Sequence, residues 1–439
     1  METLKKHQVF LLFALLALSF FAYFPAVTAN FASLDDIYIL ASTNTVSRFN
    51  VSTIFNIFTA DHLGLYHPLV TLSFAVERSL FGMIPAFYHV DNMLLHLLNT
   101  VLVFLIFARL TKSFAVTYII SFLFAIHPVH VEVVAWISAR KDTLYSVFYL
   151  LAFFLYIKTY DGKKTKTLIS LSSLCFILSC FSKAMAITLP LVLILTDYFQ
   201  NRLSKKNIRF YLPYFIISAV FIAVGIWSHY RQDMHTTFVF LTLAKNIINA
   251  HFHVLFYMYK FILPVNLYCM YHPFYNASAM PPLYILISPA IVYALISAAL
   301  LSLKKTKKIF FGFLFFLIVL VPSSGILPMG IAPVADRYVY LAFTGLFFIA
   351  AEGAVRLYSV SNKFFKIILI FFAVIIGGAL VYLSFNRSLD WQKERFGPPG
   401  GQPGSQLLSG NMSDVVKSME FDKRNEFMKT LAMQQNLKS

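Results

Sequence analysis

Asp35 and Asp36 stand side by side just past the first apolar stretch, in Ala32-Ser33-Leu34-Asp35-Asp36-Ile37-Tyr38. The 439 residues hold only 19 acidic side chains, so two in a row at the mouth of an apolar segment need a physical reason. An ionised carboxylate at a membrane surface can take the proton of an attacking hydroxyl, which makes the pair a candidate general base. The same residues also suit a helix N-terminus, where a carboxylate answers unpaired backbone N–H groups and the positive end of the helix dipole.

Further polar groups recur in an apolar chain. Tyr38, Asp61, Tyr66, His67 and Glu77 follow the pair, and His89, Asp91, Asn92 and His96 open the next apolar run. His127, His130, Glu132, Trp136, Arg140, Lys141 and Asp142 come after it, and Asp336, Arg337, Tyr338 and Tyr340 lie late in the chain. Ionisable groups at membrane depth are costly, so their gathering on one face points to function. Each also has a plainer reading. His89, His96 and His127 suit hydrogen bonds between helices, Arg140-Lys141-Asp142 an interfacial anchor with a cap, and Trp136 an aromatic belt. The set His127-x-x-His130-x-Glu132 has metal-ligating types, but Pro128 interrupts the helix and the spacing is not the i,i+4 pair of a helical zinc site. No cofactor is therefore expected, with a divalent ion as the alternative.

These residues must be positioned by membrane helices. Hydrophobic residues make up 59% of the chain and charged ones 13%, with a mean hydropathy of +0.72. A soluble domain carries about 25% charged residues. The runs are long and continuous, which gives an all-α polytopic membrane protein rather than a barrel of short alternating segments. Spans are predicted near 8–27, 90–109, 114–127, 143–157, 167–182, 184–198, 210–228, 283–302, 309–327, 338–355 and 364–384. The first is expected to be a retained helix, because its run from Val9 to Phe24 exceeds the roughly 7–15 residues of a signal-peptide core. About eleven crossings, with the N-terminus inside, put the basic loops around Lys163, Lys205, Lys305 and Lys363 in the cytoplasm. That bias explains the net charge of +17 without nucleic acid. The acids go the other way, and the first loop, 28–89, is extracytoplasmic. The apolar but charged segment 238–262 is expected to lie along the surface. Three cysteines form no readable disulfide or metal framework. The expected division is a membrane domain over 1–392 and an outer linker and polar tail over 393–439, the break marked by Gly397-Pro398-Pro399-Gly400-Gly401.

Four stretches together resemble a known family. They are Tyr66-His67-Pro68-Leu69-Val70-Thr71-Leu72; Tyr88-His89-Val90-Asp91-Asn92 with His96 and Asn99; His127-Pro128-Val129-His130-Val131-Glu132 with Trp136-Ile137-Ser138-Ala139-Arg140-Lys141-Asp142; and Ala335-Asp336-Arg337-Tyr338-Val339-Tyr340. They are similar to the transmembrane O-mannosyltransferases with tetratricopeptide repeats and their bacterial relatives, over roughly 30–392. The resemblance implies a GT-C glycosyltransferase fold. It also implies a sugar, mannose by expectation, carried on polyprenyl or dolichyl phosphate and passed outside the cytoplasm to a Ser or Thr hydroxyl. Matched to the family's acidic pair, Asp35 becomes the base and Asp36 its orienting partner. Arg337, Arg140, Lys141 and His67 become candidates for the donor phosphate. Tyr38, His89, Asn92, His96, His127, His130, Glu132, Asp142 and Asp336 become substrate-binding or supporting residues. Donors of this kind imply no metal.

The chain departs from the family twice. Relatives commonly carry Arg where His67 stands, and a repeat array after the last span, where 393–439 has room for about one repeat of roughly 34 residues. Competing readings are a GT-C enzyme acting on a lipid or polysaccharide, a transporter or flippase, and an inactive scaffold. The absence of an internal repeat and the one-sided charges favour the enzyme over the transporter. The expected partners are the lipid-linked sugar, an acceptor protein or glycan, and the bilayer. The expected location is a bacterial inner membrane or an endoplasmic reticulum membrane.

Overall fold

Helices run almost end to end through a computed structural model that describes residues 6–32, 36, 51–59, 66–230, 240–269, 271, 274, 280–326 and 334–393. Among the described residues there is no strand. Helix α1 (Lys6–Val27) is followed by short α2 (Val51–Thr59) and then by α3 (Pro68–Phe81) and α4 (Pro85–Thr111). Both α3 and α4 begin with Pro at a position where its missing N–H costs nothing. Helix α5 (Phe114–Ile126) is capped by Ser113, whose hydroxyl accepts from Val116 N–H at 3.4 Å. It stops before Pro128, and the chain bends by 48° into a 3-10 turn and the short α6 (Val131–Ala135). A second 3-10 turn leads to α7 (Arg140–Lys158), then α8 (Thr165–Ser182), α9 (Leu189–Phe199) and α10 (Ile208–Tyr230). The remainder comprises α11 (Phe240–Ile262), α12 (Ser288–Ser302), α13 (Lys307–Leu320), α14 (Phe343–Val360) and α15 (Lys363–Gln392).

Every apolar segment expected to cross coincides with a helix. Eight helices of the described residues are long and apolar enough to span by themselves, or nine if the bent pair Phe114–Ile126 and Pro128–Ala135 counts as one span. Boundaries moved for local reasons. Helix α4 starts at Pro85, five residues ahead of the predicted span, because Pro at the first helical position opens the helix before the apolar run begins. Helix α13 ends at Leu320, ahead of Pro322, and the Asp336–Val339 stretch is a 3-10 turn rather than the start of a span.

Helix α7 packs against α4 and α8, α5 against α4 and α14, and α1 against α15. One large core joins Phe107, Phe124, Tyr149, Phe153, Phe316 and Phe347. A smaller one joins Tyr23, Met93, Val134, Trp136, Ala139 and Trp391 beneath the α6–α7 connection. Helices α13 and α14 touch backbone to backbone, so that a Cβ on Gly345 would meet the Gly312 carbonyl oxygen at 2.2 Å. Small residues at helix crossings allow this close approach in membranes.

Candidate active site

The α5–α7 connection is the frame of the site. Pro128 ends one helix, two 3-10 turns follow, and α7 restarts at Arg140, so a segment rich in polar groups is folded inward rather than strung along a helix. Its histidines are used in packing. His96 places Nδ1 2.8 Å from the Tyr340 hydroxyl and Nε2 3.1 Å from the Ala125 carbonyl. His130 Nδ1 lies 2.8 Å from the Phe124 carbonyl, and His127 Nε2 lies 3.3 Å from that of Phe261. The Asn92 amide donates to the Trp136 carbonyl at 2.9 Å, and His89 is buried alongside. Through these bonds Asn92 and His96 join α4 to the bend, and His96 also reaches the Tyr340 hydroxyl just ahead of α14. His127, His130 and Glu132 do not converge. No group of three His, Cys, Asp or Glu able to hold a metal occurs among the described residues.

Asp36 reaches into this frame and is 0% exposed. One carboxylate oxygen accepts the Ser138 N–H at 2.8 Å and the Ser138 hydroxyl, and the other accepts the Ala32 N–H at 2.9 Å. Both oxygens are therefore committed to joining the segment after α1 to the turn before α7. Asp35 and Tyr38 lie outside the described residues.

Arg140 is a candidate for the donor phosphate by resemblance and an interfacial anchor by its plainer reading; its side chain is 0% exposed and each of its three nitrogens is engaged. Nε donates to Asn92 Oδ1; one terminal nitrogen faces Glu77 Oε2 at 2.9 Å and Asp91 Oδ2 at 2.7 Å; the other donates to the Tyr88 carbonyl at 2.9 Å. The Phe74 ring covers it at 4.8 Å. Arg140 thus fastens α3 and α4 to the start of α7 and leaves no open face for a phosphate. Burial pushes the Glu77 carboxyl up to about 7 against the pull of Arg140, with Asp91 adding to the rise.

Three other cations gather around two aromatic walls. The Arg337 guanidinium lies 5.0 Å from the Trp136 ring and 5.1 Å from the Tyr338 ring, and donates to Glu132 Oε1 at 2.6 Å and to the Cys269 carbonyl at 3.0 Å. Lys141 Nζ is 6.0 Å from the same Trp136 ring. Lys183 Nζ meets Asp142 Oδ1 at 2.5 Å and lies 5.8 Å from the rings of Tyr145 and Tyr338. Burial draws the Lys183 ammonium down to about 8, and the neighbouring Lys141 and Arg337 charges oppose the upward pull of Asp142. His67 feels the charges of Lys141 and Lys183. Burial, aided by those two charges, lowers its imidazole to about 3, so it is neutral. Asp336 stands behind this group, accepts the Tyr271 hydroxyl at 2.7 Å and is pushed up to about 8 by burial and by the Glu132 carboxylate. It braces the loop through this bond.

No family model matches the chain. It is similar to a protein O-mannosyl-transferase of Caenorhabditis elegans, F38B6.6, at 24% identity over 348 residues, which is 75% of this chain and 47% of that protein. A 97-residue stretch is 40% identical to protein O-mannosyl-transferase TMTC1 of Mus musculus, covering 22% of this chain and 10% of the relative. The chain therefore spans at most about half the length of these relatives. Among solved structures, the apo oligosaccharyltransferase of Archaeoglobus fulgidus superimposes with a TM-score of 0.50 at 11% identity, over 94% of this chain and 60% of the other. The same enzyme tethered to an acceptor peptide gives 0.50 at 12% identity, over 97% and 59%. The chain has a GT-C glycosyltransferase fold.

The all-α architecture and the resemblance to O-mannosyltransferases read from the motifs agree with these findings. Within the GT-C bundle, the α6–α7 bend brings Asp36, Lys141, Asp142 and Arg337 to one region. Lys183 is the residue that sequence reading missed. It is a single lysine between two apolar runs, and that position was itself the signal, since a lysine there needs a partner or a task. Ser138 was visible only as a motif letter, and its contact with Asp36 required the fold.

Proposed function

We propose that this chain is a membrane glycosyltransferase. It moves a sugar, mannose by likeness to its relatives, from polyprenyl or dolichyl phosphate to a Ser or Thr hydroxyl of a protein. The reaction takes place on the extracytoplasmic side of a bacterial inner membrane or of the endoplasmic reticulum. The observation that supports this reading most is the bond between Asp36 and Ser138, because Ser138 lies one helical turn ahead of Lys141. Asp36 and the cation group thereby share one mouth. With both oxygens of Asp36 committed, the reacting carboxylate is Asp35.

The acceptor oxygen attacks the anomeric carbon and gives its proton to Asp35. The bond between that carbon and the donor's phosphate oxygen breaks with inversion, and the phosphate leaves with the electron pair. Lys183, Lys141 and Arg337 stabilise the charge that develops on it. The cation group is preorganised by Asp142, Glu132 and the Trp136 and Tyr338 rings, so little rearrangement is needed as the charge forms.

Purified protein given polyprenyl-phosphate-linked mannose and Ser/Thr peptides should form glycopeptide. Asp35→Asn should lower the rate by roughly 100-fold or more, the size of a general-base contribution. A wild type silent with every donor sugar and peptide tried, yet active on a lipid or glycan hydroxyl, would move the acceptor to those classes. Equal rates for Asp35→Asn and wild type would remove Asp35 from the chemistry.

A further inference from the structure

A polar cavity lies at the other end of the bundle. Helix α7 begins at the site with Arg140 and ends at Lys158, roughly 27 Å away at 1.5 Å per residue. Around that far end a cavity of about 730 Å3 opens between α7, α8, α9 and the start of α10. Lys166, Arg202 and Arg209 line it, together with the hydroxyls of Thr165 and Ser170. The proposed chemistry uses none of them.

The cavity's acid does not cancel these cations. Asp197 lies in the wall and is buried. One oxygen accepts the Tyr160 hydroxyl at 2.5 Å, and the other accepts those of Tyr156, at 2.7 Å, and Tyr211. The carboxylate is thus turned into the wall and capped by three tyrosines. The Tyr160 ring that Asp197 fixes is the one beneath Arg202, whose guanidinium carbon lies 4.4 Å from the ring centre. The Arg202 N–H also donates to the Asp197 carbonyl at 2.7 Å. The acid therefore builds the platform that holds a cation, and the open side of the cavity presents positive charge beside hydroxyl donors.

We infer that this cavity binds a phosphate group, and that the ligand is the headgroup of an anionic lipid. Guanidinium groups pair with phosphate oxygens through parallel hydrogen bonds, and Thr and Ser hydroxyls complete such a shell. The Lys and Arg distribution predicts that this end faces the cytoplasm, where anionic lipids concentrate. Lys304 and Lys305 lie at the same end, because neighbouring Lys307 donates to the Tyr198 carbonyl at 2.9 Å, but they do not line the cavity. They serve as a control for surface charge.

The test uses the full chain in detergent, with native mass spectrometry to count bound dioctanoyl phosphatidic acid. Dioctanoyl phosphatidylcholine is the zwitterionic comparison and glycerol 3-phosphate the competitor. The expected result is at least a tenfold preference for the acid, lost in Arg202→Gln/Arg209→Gln and in Ser170→Asp but kept in Lys304→Gln/Lys305→Gln. Ser170→Asp removes no ion pair and adds one negative charge to the wall, so it reports on the cavity even if the double variant proves unstable. Displacement by glycerol 3-phosphate would keep the phosphate site and make its natural ligand a soluble ester; resistance to it would favour the lipid. An equal loss in the Lys304/Lys305 variant, or no preference over phosphatidylcholine, overturns the inference.

Discussion

Arg140 and Lys183 are two buried cations near one mouth, and they are spent differently. Arg140 is enclosed by Glu77, Asp91, Asn92 and the Tyr88 carbonyl, which come from α3 and α4. Lys183 has one carboxylate partner, two aromatic faces and two like charges as neighbours. The first arrangement satisfies a charge and the second leaves one under-compensated. Charge that closes on protein acceptors builds architecture, whereas charge crowded with its own sign is available to an incoming anion.

The largest effect that separates the two regions is expected at Arg140. Arg140→Leu strands Glu77 and Asp91 without their cation. Removing one partner of a buried pair costs roughly 3–5 kcal/mol. Thermal unfolding in detergent should show a large loss of stability, with activity falling only as folded protein falls. A fully stable but inactive Arg140→Leu would instead place this residue at the substrate and erase the contrast.

Lys183→Gln should behave in the opposite way. It removes one charge-assisted contact to phosphate, worth about 1.5–3 kcal/mol, or roughly 10- to 100-fold in donor affinity. Asp142 loses its ammonium partner but keeps a hydrogen-bonding amide, so the unfolding midpoint should move much less than in Arg140→Leu. Titration with the lipid-phosphate donor, run beside thermal unfolding, reads both quantities.

Much of this was legible in the residues, and the gaps have physical causes. Pro128 after His127 announced the end of α5, and the apolar runs marked helices, of which eight, or nine with the bent pair, are long and apolar enough to span among the described residues. The surroundings of Arg140 were not legible because a sequence shows a charge but not the number of acceptors that will surround it; Glu77 and Asp91 lie 63 and 49 residues before it on two different helices. Lys183 was passed over because Asp142 is 41 residues away and one lysine barely changes the hydropathy of its run. The start of α4 was placed at 90 rather than at Pro85 because the apolar run begins after His89, whereas a Pro at the first helical position can open the helix ahead of that run.

A pH titration sharpens the same comparison. In the free protein Lys183 is lowered to about 8, so it is cationic below that pH and increasingly neutral above it. A bound phosphate favours the cation, and donor affinity should therefore fall as pH rises through about 8. Asp336, raised to about 8, becomes anionic over the same range and acts in the same direction. Lys183→Arg separates the two, because a guanidinium stays charged throughout. Its pH dependence should flatten to the part contributed by Asp336, while an unchanged profile would take Lys183 out of donor binding.

The smallest expected effect concerns His67, where the resemblance predicts arginine. Its neutral imidazole feels the charges of Lys141 and Lys183, and it is neutral because burial and those two charges disfavour protonation. His67→Arg would force a third charge into the same space. Two terms then compete. The added cation attracts the donor phosphate, but it repels Lys141 and Lys183 while the site is empty, and that repulsion draws Lys183 further below about 8. Because the phosphate relieves the repulsion on binding, the net change should favour the complex, by a few-fold in affinity, with a lower unfolding midpoint in the empty protein. Measuring both separates this site from the Arg140 knot, where an added charge has no ligand to answer it. A variant that binds donor no better, yet is equally destabilised, would mean that His67 faces the protein side of the group and not the phosphate.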